Sequence, residues 1–97
     1  MPSDSTVLDR LYATIVQRKA DAPAGSYTTS LFAQGRPRIA QKVGEEAIEV
    51  VMASALGQND RVVYESADVL YHLLVLLAAH DIAPDDVYRE LERRMKP

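Results

Sequence analysis

The chain has no cysteine, so disulfides and thiolate metal centres are excluded, and its composition fits a reducing cytoplasm. Glycine is scarce, with four in 97 residues. No glycine-rich phosphate loop, nucleophile elbow or zinc motif is present. Neither sign of charge is in large excess: 11 basic against 14 acidic side chains give a net charge of −3. That balance exerts no global pull toward nucleic acid or membrane. The opening MPSDSTVLDRL lacks the basic start and apolar core of a signal peptide. The most apolar run, Val69 to Ala79, is interrupted by Tyr71 and His72 and is too short to span a bilayer. There is no internal repeat, no low-complexity tract and no stretch of clean period-two alternation. The expectation is an all-α protein forming a single domain over residues 1–97. So short a chain buries a limited core, and self-association would add to it.

What is present is helical periodicity. Val7, Leu8, Leu11, Tyr12, Ile15 and Val16 recur at helical spacing, with Ser5 or Thr6 as cap and an end near Ala20. Residues 20–35 read as a loop punctuated by Pro23 and Gly25, with one helical turn near Ser30 to Gln34. Pro37 suits the first turn of a second main helix, which runs to about Leu56 and stops near Gly57. Asn59 or Asp60 caps a third that reaches about Ala79. Pro84 opens a fourth, whose acidic start and basic end complement the helix dipole. Four main helices are therefore expected. At about 100° per residue, the second main helix turns Ile39, Val43, Ala47, Val50 and Val51 to the core. The third turns Val62, Val69, Leu70, Leu73 and Leu77.

The charged residues border these apolar faces, whereas a solvated face lies opposite the core more often. Glu45, Glu46 and Glu49 sit in KVGEEAIEVV, and Glu65 and Asp68 in YESADVLYHLL. Residues three or four apart share a helix face. If the two helices pack side by side, four or five carboxylates meet. Such a group repels itself strongly unless a cation joins it or its pKa values rise. Oxygen ligands without Cys or His suit a hard cation such as Mg2+, which commonly bridges to substrate phosphates. A carboxylate not used as ligand could take a proton from water.

Arg36, Arg38 and Lys42 read either as ordinary ion-pairing residues or as a phosphate clamp beside the metal. The hydroxyl cluster Ser26, Tyr27, Thr28, Thr29 and Ser30 favours turn and cap chemistry when taken alone. It could also bind a sugar or phosphate. His72 reads as a buried, hydrogen-bonded core histidine, and His80 as a residue at a helix end. Met52, Tyr64 and Tyr71 read as packing residues.

The order E-E-x-x-E followed by E-x-x-D, here Glu45 to Glu49 and Glu65 to Asp68, resembles the signature of the all-α nucleoside triphosphate pyrophosphohydrolases of the MazG type. SYTTSLFAQG, RIAQKVGEEAIEVVMA and ESADVLYHLLVLL narrow the resemblance to the phosphoribosyl-ATP pyrophosphatase family, from about Leu8 to Arg94. The resemblance implies Mg2+-dependent hydrolysis of phosphoribosyl-ATP to phosphoribosyl-AMP and pyrophosphate, the second step of histidine biosynthesis, in the cytoplasm. In many organisms the family's domain is fused to the cyclohydrolase of the next step; 97 residues leave no room for that domain, so the stand-alone form is expected. The resemblance also implies a homodimer whose paired helices complete a bundle. Carried onto this chain, it makes Glu46, Glu49, Glu65 and Asp68 the metal ligands. Glu45 becomes an accessory ligand or a residue that orients the water. Lys42 and Arg38 would hold phosphates, and Ser26, Tyr27 and Thr28 would line the substrate end. The chain departs from the family near Gly35, with Arg38 where Lys is usual and an unusual Pro37 before it.

Three rivals stand beside this reading. A house-cleaning pyrophosphohydrolase acting on ordinary nucleotides would use the same acids. A di-iron bundle would use E-x-x-H repeats, but Asp68 and Glu49 stand where His is needed. A non-catalytic helical interaction module would need none of the acids.

Overall fold

Helix signals along the chain translate into five helices in the computed structural model, which describes Asp4 and residues 6–97. These are α1 (Val7–Asp21), α2 (Tyr27–Gln34), α3 (Arg36–Ala55), α4 (Asn59–Ala79) and α5 (Pro84–Met95). No strand occurs among the described residues, so the all-α expectation holds. The number of helices differs from the expected four main ones, because the hydroxyl-rich segment read as a loop is a helix. Ser26 starts it: its backbone is extended and its Oγ accepts the Thr29 N–H at 3.2 Å. A cap of this kind satisfies one of the orphan amides of the first turn.

The other boundaries follow local chemistry. Pro37 and Pro84 lie in the first turns of α3 and α5. At the end of α3, Gly57 is left-handed (φ 68°), with Gln58 N–H bonded to Ala53 O and Gly57 N–H to Ser54 O, both at 3.0 Å. This paired closure stops the helix where glycine permits it. Two expected caps differ. Thr6 precedes α1 but does not cap it; its N–H and hydroxyl both go to Asp4 Oδ1. Ser5, the other candidate, lies outside the described residues. Asn59 and Asp60 are the first residues of α4 itself, after Gln58, and no side chain caps that end.

The three-residue connection Leu56–Gln58 makes α3 and α4 an antiparallel pair, and α1 and α2 pack against one side of it. The core is Ile15, Leu31, Ile39, Leu74, Val75 and Ala78, drawn from α1 to α4. Each large side chain among them contributes about 1.5–3 kcal/mol by leaving water. The buried face of α4 is rotated from the expected one: it carries Glu65, His72, Leu74, Val75 and Ala78. Leu70 is 45% exposed and Val51, expected in the core of α3, is 66% exposed. Met52 and Tyr64, expected to pack, are also exposed.

The physical reason is that α4 is apolar on more than one side, and only one side meets α1 and α2. Ile48, Val51, Met52, Leu56, Val63 and Leu70 leave apolar area exposed on the α3–α4 pair. The radius of gyration, 14.6 Å, exceeds the roughly 12.5 Å of a compact chain of this length. Among the described residues, α4 is the one helix long and apolar enough to cross a membrane by length and composition. Its middle, however, carries Glu65, Asp68 and His72, which are costly in lipid.

Candidate active site

Side-by-side packing of α3 and α4 brings Glu46, Glu65 and Asp68 together. One carboxylate oxygen from each lies within 4.8 Å of the other two. Glu65 and Asp68 share a face because they are three residues apart on α4, and Glu46 meets them from α3. Glu65 is only 5% exposed, and Glu46 and Asp68 are partly buried. Burial raises the Glu65 pKa, Arg61 opposes the rise, and the charges of Asp68, Glu49 and Glu46 add to it.

Glu49 is not a member of this close group. It borders the same region from a cleft lined also by Met52, Ala53, Leu56, Gln58, Arg61 and Glu65. Glu45 faces the other way along α3. Its carboxylate lies 3.6 Å from both Arg38 and Lys42 and accepts a hydrogen bond from Gln41 at 3.0 Å.

Lys42 stands between the two acidic directions, with its Nζ 3.3 Å from Glu46 Oε1. Burial alone would lower its pKa. The hydrogen bond to Glu46, with Tyr27, Glu46 and Glu45 nearby, outweighs burial and raises it. Arg38 is half-exposed on the Glu45 side. Arg36 does not join the group. Its guanidinium approaches His80 Nδ1 at 3.5 Å, some three turns of α4 beyond Asp68. Arg36 opens α3 on a different face from Lys42, which is why its proximity in sequence misleads.

The start of α2 is tied to the acidic helix. Tyr27 OH lies 3.0 Å from His72 Nε2, and His72 Nδ1 lies 2.7 Å from the Asp68 carbonyl oxygen. A carbonyl only accepts, so Nδ1 donates and, in the neutral ring, Nε2 accepts from Tyr27. His72 is 4% exposed and hydrogen-bonded at both nitrogens, as expected. Thr28 Oγ1 bonds Tyr71 OH, and the Tyr27 and Tyr71 rings stack with centroids 6.2 Å apart. The hydroxyls of Ser26, Tyr27 and Thr28 thus already have partners, whereas Thr29 Oγ1 is buried without one.

Sequence reasoning missed Arg61. Its Nη2 lies 2.5 Å from Glu65 Oε1, and its guanidinium carbon is 4.9 Å from the centre of the Tyr64 ring. The only available signal was its position four residues before Glu65.

The donor set can be tested against a cation. Three converging carboxylates, one nearly fully buried, are met by Lys42 at Glu46 and by Arg61 at Glu65. All the close donors are carboxylate oxygens, which suit a hard divalent ion better than a soft one. The same set beside Lys42 and Arg38 suits phosphate chemistry.

A family model described as phosphoribosyl-ATP pyrophosphohydrolase matches residues 8–95. A phosphoribosyl-ATP pyrophosphatase of Sulfurisphaera tokodaii is 51% identical over 92 residues, covering 95% of this chain and 98% of its own. One of Parvibaculum lavamentivorans is 53% identical over 94 residues, covering 97% of this chain and 86% of its own. One of Saccharolobus solfataricus is 47% identical over 90 residues, covering 93% and 96%.

Proposed function

The chain belongs to the phosphoribosyl-ATP pyrophosphohydrolase family, and on that premise we propose how it acts. It is a hydrolase that converts phosphoribosyl-ATP and water to phosphoribosyl-AMP and pyrophosphate, a step of histidine biosynthesis. The observation that carries the reading is the meeting of Glu46, Glu65 and Asp68 beside Lys42, in a chain related to those enzymes over nearly its whole length. The water oxygen bonds to phosphorus, the bridging phosphorus–oxygen bond of the anhydride breaks, and pyrophosphate leaves.

Glu46, Glu65 and Asp68, with Glu49 at the edge, would hold a divalent cation, for which we propose Mg2+. When bound, the ion supplies charge neutralisation and polarises a phosphorus–oxygen bond. Lys42 and Arg38 bind phosphate oxygens, exchanging Glu45 for the substrate; Lys42 acts as a point charge and Arg38 as a fork. Glu45, freed of these partners, orients the water or takes its proton. Tyr27 and Thr28 shape the substrate end through the start of α2, whose N–H groups favour anions. Their hydroxyls hold that end in place through His72 and Tyr71. We assign no role to Arg36.

One domain, a cytoplasmic setting and a homodimer complete the proposal. No nucleic acid or membrane takes part in it. The uncovered apolar surface on α3 and α4 supports the homodimer. Substrate ranking tests the function: phosphoribosyl-ATP is turned over and dUTP and dCTP hardly at all. The reverse ranking would reject the assignment in favour of a house-cleaning enzyme.

A further inference from the structure

Arg61 is placed against the local rules of its helix. It lies in the first turn of α4, where the dipole favours anions and disfavours a cation. Its partner is four residues later, and the basic residue first is the weaker orientation for such a pair. Helix stability therefore gives little reason for an arginine here. The pairing itself is unequal: the Arg61 side chain is 55% exposed and that of Glu65 is 6% exposed. A largely solvated guanidinium thus reaches inward to a buried carboxylate that belongs to the close acidic group. Among the described ion pairs, no other cation reaches Glu65.

That contact conflicts with cation binding. The guanidinium sits on Glu65 Oε1 at 2.5 Å, while Mg2+ approaches its oxygens to about 2.0–2.1 Å. Two positive centres on one carboxylate repel. Arg61 also lines the cleft shared with Glu49 and Glu65, and Lys42 does not line it. Lys42 lies one turn before Glu46 on α3 and Arg61 one turn before Glu65 on the antiparallel α4, so the two cations approach the acids from opposite ends, which suits a triphosphate running across them.

We propose that Arg61 works in two positions. In the cation-free protein it neutralises Glu65. Once Glu65 is given up to a divalent cation, the freed guanidinium binds phosphate oxygens of the pyrophosphate portion. This rests on the function proposed above, and the test separates the two. Mn2+ and pyrophosphate are titrated calorimetrically into the full chain and into Arg61→Gln. Mn2+ alone should bind Arg61→Gln roughly three- to five-fold more tightly, because an internal competitor has gone. Pyrophosphate, titrated at saturating Mg2+, should bind it about ten-fold more weakly. Arg61→Lys should leave Mn2+ affinity near that of the unaltered protein and still weaken pyrophosphate, since a point charge replaces a fork. Equal or weaker Mn2+ binding by Arg61→Gln, or undiminished pyrophosphate binding, overturns the proposal for Arg61 alone. An unaltered protein that binds no Mn2+ overturns both Arg61's role and the cation site.

Discussion

Glu65 concentrates the energetic conflict of the site in one residue. Its folded pKa lies above the ordinary 4.5, mainly through burial. Above that raised value the folded chain carries a charge that the unfolded chain solvates freely. The metal-free protein therefore loses stability as pH rises through the folded pKa, and the loss is absent below about pH 4.5. Glu65→Gln removes this dependence. In chelator, the variant should melt higher than the unaltered protein at pH 8, and the gap should close toward pH 5. A variant that melts lower at pH 8 would show that the ion pair with Arg61 outweighs the burial of charge. The carboxylates were legible in the sequence because helix spacing and their place beside apolar faces are both local facts. Glu49's position outside the close group was not, because it depends on where α4 crosses α3. Arg36 misled for the same reason: neighbours in sequence diverge around a helix, and Arg36 meets His80 while Lys42 meets Glu45 and Glu46.

Among the elements, α2 is tied to α4 through the Tyr27–His72 and Thr28–Tyr71 hydrogen bonds, and its junction with α3 depends on Gly35. That residue has φ 89° and ψ 166°, a region essentially reserved for glycine. A Cβ there would meet only Pro37 Cδ, at an ordinary 3.8 Å. The cost of Gly35→Ala is therefore conformational and not steric. We expect a loss of about 1–3 kcal/mol in denaturant unfolding, with a larger proportional effect on KM as the start of α2 shifts. An unchanged midpoint would contradict this account of the junction. The limits of α3 and the start of α5 were readable from Pro37, Gly57 and Pro84, each of which acts on its own backbone. The existence of α2 was not, because Ser, Thr and Gly serve loops and helix starts alike. Ser26 decided between them through one hydrogen bond to Thr29.

For the whole molecule, the apolar periodicity of α3 and α4 reports more contact than one chain supplies. The helical wheel assigned Val51 and Leu70 to the core, yet both are exposed. Periodicity records every surface that avoids water, within a chain or between chains, and does not distinguish them. A second copy covering that surface, as proposed above, would account for the excess. Sedimentation should find a dimer, and Leu70→Glu should yield a helical monomer. A monomeric unaltered protein at micromolar concentration would remove the homodimer from the account. The central claim is that carboxylates from α3 and α4 act together on a phosphoanhydride. Pyrophosphate release from phosphoribosyl-ATP at saturating Mg2+, measured for the unaltered chain and for Asp68→Asn with helicity checked on the same samples, tests it most directly. The account predicts turnover by the former and at least a roughly hundred-fold fall in a folded Asp68→Asn; full turnover by that variant would contradict it.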